Sequence, residues 1–68
     1  MKTEGRNAVK ELLKTEKNVD KILMEKGAQG SLSVLFAEAR KKNIRVQFVE
    51  RQVLEKESET GRHQGVIA

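Results

Sequence analysis

Arg62, His63, Gln64 and Gly65 stand in consecutive positions near the end of the chain. The run sets a guanidinium, the only imidazole in the sequence and a carboxamide beside a residue with no side chain. A guanidinium forks onto phosphate oxygens, while amide and imidazole groups bond base edges or ribose hydroxyls. Glycine lets the backbone turn sharply or approach a ligand closely. His63 equally suits a structural role, its ring bonded to a carbonyl within a turn. The residue types leave both readings open.

Other chemistries find less support. A nucleophile needs a base within hydrogen-bond reach and a third group to orient it. Ser31, Ser33 and Ser58 have only His63 to share, and the first two fit the start of a helix. Without cysteine and with a single histidine, a protein-only metal site is not expected. No stretch matches a phosphate loop or a dinucleotide fingerprint. No catalytic residue, metal ligand or cofactor-binding residue is therefore assigned.

Positive charge is the stronger signal. The 68 residues carry 14 Lys and Arg against 10 Asp and Glu, a net charge of +4. The sequence pI of about 9.7 makes a polyanion partner a candidate. Arg6, Lys10 and Lys14 recur at helical spacing, and Arg40, Lys41, Lys42 and Arg45 form a second cluster. These read either as solvated surface or as an edge that tracks phosphates. Phe36 and Phe48, the only aromatic residues, both sit in apolar patterns, which argues against a base-stacking platform. "KGAQGS" (26–31) joins a strand to a helix. Lys26 beside a helix N-terminus could hold an anion, but an ordinary surface loop is the favoured reading.

The elements that must position these groups follow from periodicity. Ala8, Val9, Leu12 and Leu13 form one helical stripe over 7–14, with Asn7 as its cap. Ile22, Leu23 and Met24 read as a buried strand within 19–27. Leu32, Leu35, Phe36 and Ala39 mark a helix over 31–43, capped by Ser31 and stopped at Asn43. Ile44, Val46 and Phe48 alternate with Arg45 and Gln47 in a strand over 44–50. A short helical segment over 52–58 turns Val53 and Leu54 inward, and Val66–Ala68 begins a third strand. Strands joined through helices predict parallel pairing. One domain, 1–68, is expected. The brevity of its last strand reads as a boundary within a longer protein. No signal peptide or membrane-spanning run is present in the sequence, which predicts a soluble, cytoplasmic protein.

"EGRNAVKELL" and "HQGVIA" together resemble the two signature segments of the SpoU/TrmH ribose methyltransferases, in the branch that modifies a guanosine of large-subunit ribosomal RNA. The first segment matches at Gly5, Asn7, Ala8, Val9 and Leu13, with Asn7 where histidine is common. The second runs from His63 to Ala68. The resemblance covers essentially the whole chain and corresponds to the N-terminal substrate-binding domain. It implies an α/β three-layer sandwich with a small, mostly parallel sheet, similar to kink-turn-binding ribosomal proteins of the large subunit. It implies large-subunit ribosomal RNA as partner, with Arg6, Asn7, Arg62, His63 and Gln64 facing it; Lys10 and Lys26, from the charge reading above, complete the expected RNA-binding set. S-adenosylmethionine and dimerisation would belong to a separate C-terminal catalytic domain. The domain by itself would be a monomer without methyltransferase activity, and the longer protein a homodimer. The alternatives are a protein-interaction or spacer module docking on that catalytic domain, and a free-standing enzyme.

Overall fold

The computed structural model describes residues 2–15, 19–27 and 30–68. Its elements are α1 (Arg6–Lys14), β1 (Lys21–Glu25), α2 (Ser31–Lys41), β2 (Arg45–Val49), α3 (Arg51–Glu57) and β3 (Val66–Ile67). The sheet order is β2-β1-β3. The order of elements matches the periodicity reading, with boundaries within a residue or two.

Three layers result from the two-sided burial of β1. Ile22, Met24 and Val66 face one way and pack with Val9, Leu13, Leu32, Leu35 and Ala39 of α1 and α2. On the other face Val49 and Ile67 pack with Leu54 of α3, and Leu23 lies against them. Leu54 is fully buried, whereas Val53, expected to point inward with it, is 39% exposed. A seven-residue helix makes barely two turns, so one side chain of the pair takes the inner position.

β1 and β2 pair in parallel over five residues, from Lys21 opposite Arg45 to Glu25 opposite Val49. The third strand departs from the expectation: β3 runs antiparallel to β1, with Leu23 opposite Ile67 and Met24 opposite Val66. The chain leaves β2 at Val49, beside Glu25, and re-enters the sheet at that same end. Gly65 marks that entry, its carbonyl accepting the Glu25 N–H at 2.9 Å. The N-terminal segment then seals the other side of β3. Glu4 bridges Ile67 in antiparallel fashion, and Thr3 and Ala68 exchange two backbone hydrogen bonds. β2 is left as the sheet edge without a strand or bridge beyond it among the described residues.

The helix ends show which local signals operate. Asn43 does stop α2, adopting φ 59°. The Ile44 N–H reaches the Ala39 carbonyl at 2.9 Å and the Asn43 N–H reaches that of Arg40 at 3.1 Å, the paired bonds of a Schellman motif. The two expected N-caps are displaced. Gly5 and Gly30 occupy the cap positions, and Asn7 and Ser31 lie inside their helices. What satisfies the start of α1 comes instead from the far end of the chain.

A carboxylate that the sequence reading passed over fixes the approach to that site. Glu4 accepts hydrogen bonds from the Ser58 hydroxyl, the Glu59 N–H at 2.6 Å, and both the N–H and the hydroxyl of Thr60, at 3.2 and 2.9 Å. The Ser58 bond above all, reinforced by those from Glu59 and Thr60 and opposed by desolvation, lowers its pKa from 4.5 to about 2. A carboxyl depressed in the folded state stabilises the fold above its unfolded pKa, and that contribution disappears as pH falls. Acid denaturation should therefore show a component between pH of about 4.5 and about 2 that Glu4→Gln removes. Melting curves across this range check it. A variant whose pH profile parallels the parent's would show that the carboxylate contributes nothing.

Candidate functional site

Residues 63–66 form a tight turn in which the Val66 N–H donates to the His63 carbonyl at 3.0 Å. Its central residues, Gln64 and Gly65, have φ 52° and 88°, the sign pattern of a type I′ turn. Glycine takes such a conformation freely, whereas glutamine does so at a cost of about 1–2 kcal/mol. Gln64 is held there by what its side chain reaches. Its Oε1 accepts the Arg6 N–H at 3.0 Å, and its backbone carbonyl accepts from Arg6 Nε at 3.2 Å. The Gln64 amide thus caps α1 across 58 residues of sequence, filling the role that the glycine at the cap cannot. A side chain at Gly5 would be strained at φ +96° and crowded, an added Cβ meeting Gln64 Oε1 at 3.3 Å and the Arg62 carbonyl at 3.4 Å.

Arg6 is consequently fixed in direction. Its Nη1 donates to Ser31 Oγ at 3.0 Å, so two of its five N–H donors are used among the described residues. The guanidinium sits where α1, α2 and the turn before β3 converge. His63 is only 6% exposed, and its Nδ1 accepts the Gly65 N–H at 3.0 Å. That bond serves the turn and favours the structural reading of the ring, although His63 also lines the adjoining groove. This groove is bordered by Arg6, Glu25, Arg51, Glu55, His63 and Gln64. Its two arginines face two glutamates, so it offers shape and hydrogen bonds rather than surplus charge.

Surplus charge lies in the next groove, between α1 and α2. There Lys10, Lys14 and Lys42 surround Val34 and Leu35, against Glu38 alone. The fold thus joins part of one basic cluster to part of the other: Lys42 crosses to meet the α1 lysines. Sequence spacing shows the α1 stripe, but Lys42 and the Ser31 anchor depend on how α2 packs.

The expected RNA-facing set divides. Arg6, His63 and Gln64 assemble at the junction. Arg62 precedes the turn, exposed, with its N–H donating to Thr60 Oγ1 at 3.0 Å. Asn7 and Lys10 are exposed on α1. Lys26 is engaged elsewhere, in a solvent-exposed ion pair with Glu50 at 3.3 Å. The loop in which it was to bind an anion includes residues 28 and 29, which lie outside the described residues. The aromatic expectation also changes: Phe48, though paired with Phe36 of α2, is 43% exposed.

The two ends of the chain that meet here are the segments on which the family resemblance rests. Residues 3–68 match the family model for RNA 2′-O ribose methyltransferase substrate binding. The chain is 38% identical over 65 residues to YacO of Bacillus subtilis (strain 168), whose name places it among TrmH-family tRNA/rRNA methyltransferases. That match takes in 94% of this chain and 26% of YacO, so the chain spans about a quarter of that relative's length. The chain belongs to the family of RNA 2′-O ribose methyltransferase substrate-binding domains.

Proposed function

We propose that this domain holds structured RNA, specifically large-subunit ribosomal RNA, for methylation of a guanosine 2′-hydroxyl. The reaction is carried out by a catalytic domain of a longer protein. S-adenosylmethionine, the methyl donor, belongs to that catalytic domain, as does dimerisation. The isolated domain is a monomer, and its ribosomal substrate puts it in the cytoplasm. The observation that carries this reading is the groove where Lys10, Lys14 and Lys42 converge beside one carboxylate, Glu38, with Arg6 one turn earlier on α1. Phosphates track such a face. The groove beside Arg6 and Gln64 supplies amide and guanidinium donors for base or ribose.

Four cations neutralising phosphates give a log–log salt slope of about −3 to −4. Affinity for a ribosomal RNA hairpin should fall roughly a hundredfold from ~50 to ~200 mM salt. Lys10→Ala with Lys14→Ala should reduce the slope by about 2 without unfolding the domain, both residues being exposed. A titration followed by NMR reports both affinity and the amides that move. An unaltered slope in the double variant would place the RNA elsewhere. No binding at low salt would favour the spacer reading, for which the internal bonds of Arg6, His63 and Gln64 already supply a structural role.

A further inference from the structure

At the end of α2 opposite Ser31 lies a groove of different character. Phe36, Arg40, Asn43, Arg45, Val46 and Phe48 line it. The two rings lie with centroids 5.3 Å apart and planes inclined by 52°. The Arg40 guanidinium sits 5.7 Å from the centroid of Phe36. That side of the aromatic pair is therefore occupied, while Phe48 keeps 43% of its surface in solvent.

Three observations say what this surface suits. First, no carboxylate lines the groove among the described residues, whereas the grooves described above and the one beside Lys2 each have at least one: Glu25 and Glu55, Glu38, or Asp20 and Glu57. Second, neither Arg40 nor Arg45 joins an ion pair among the described residues. Third, among the described residues the outer side of β2 has no strand beyond it, and edges are normally guarded by charge rather than by an exposed phenylalanine. Positive charge without a counter-charge, beside an open aromatic ring, matches a nucleotide: the base stacks on the ring and the phosphates meet the arginines. The base must be unpaired, since its face is covered inside a duplex.

We propose that the Phe36–Phe48 groove is a second RNA subsite, which takes an unpaired nucleotide with its base on Phe48 and its flanking phosphates on Arg40 and Arg45. It rests on the reading of the domain as RNA-binding. Ser31 and Arg40 are about 14 Å apart along α2, so a paired stem on the α1 face and an adjacent single strand can occupy both sites at once.

The test uses two probes, a blunt RNA hairpin and the same hairpin with a short unpaired 3′ extension. The 68-residue chain should prefer the extended probe by about tenfold. Only that probe should move the Phe48 ring protons upfield, through the ring current of a stacked base. Phe48→Leu with Arg45→Gln should abolish the preference and leave the blunt hairpin's affinity unchanged. If the double variant does not fold, Arg45→Gln alone, at an exposed position, should still cut the preference by about threefold. A preference that survives these changes, or α1 amides that respond while Phe48 does not, overturns the subsite and leaves the α1 interface standing. Failure of both hairpins to move α1 removes the RNA reading and the subsite together. Phe48 shifts that follow protein concentration without RNA would show copies pairing along β2 instead, and would also overturn the proposal.

Discussion

Replacing Gly65 with alanine should lower the melting temperature by roughly 10–20 °C. Gly65 has φ +88°, and a Cβ there would lie 3.0 Å from Leu32 Cδ1 and 3.4 Å from Glu25 Oε1. An L-residue with that backbone costs about 1–2 kcal/mol. Pushing a methyl against Leu32, itself buried in the main core, adds an overpacking cost of order 1 kcal/mol. The total, about 2–3 kcal/mol, is a large fraction of what a small domain has. Gly61 is the control. Its φ is +76°, but nothing lies within 4 Å of an added Cβ, so Gly61→Ala should pay the backbone cost alone. Equal losses in the two variants would mean that the contact with Leu32 is irrelevant. The loss at Gly65 should also be felt at the start of α1, because the same turn presents Gln64 to Arg6.

That turn explains why the two signature segments keep company. Gly5 and Arg6 at one end and Gln64 at the other form a single junction, joined by bonds that close the start of α1. Local sequence rules point to Asn7 as the cap, because they look only within a few residues of the helix. An acceptor 58 positions away is beyond them, and only a resemblance could tie the segments together. Some local signals do read correctly: the spacing of Leu32, Leu35 and Ala39 gives the buried face of α2, and Asn43 its stop. Alternation at Val46 and Phe48 identifies β2 but not its exposure, since that depends on which helix reaches the sheet edge. The parallel expectation for β3 failed because the residues between α3 and β3 bring the chain back to the end of the sheet it had left, a path set by tertiary contacts such as those of Glu4. Among the candidate RNA contacts, Lys10 and Arg6 were visible as a stripe. Lys42 comes beside Lys10 and Lys14 only through the packing of α2 on α1, and Lys26 pairs with Glu50 in a solvent-exposed contact.

The largest loss is expected from Leu54→Ala, about 2–5 kcal/mol for a fully buried leucine. At 0.05–0.15 kcal/mol per residue, roughly, a domain of this length has only about 3–10 kcal/mol to lose. Leu54 is 0% exposed and is the residue through which α3 joins Val49, Ile67 and Leu23. A helix of seven residues does not persist in water by itself, so without this anchor α3 should detach before the rest unfolds. The Ser58–Thr60 turn that Glu4 grips begins immediately after α3, and Arg62 to Gly65 follow it. Detachment should therefore reach the cap on Arg6. Urea unfolding should show an earlier midpoint, and a reduced m-value if α3 is already loose in the native state. Val53→Ala, on the 39% exposed side of the same helix, should change stability by less than about 0.5 kcal/mol. If the two variants behaved alike, the layer beneath the sheet would be only a cover, and the turn before β3 would owe its shape to Glu4 and Gly65 alone.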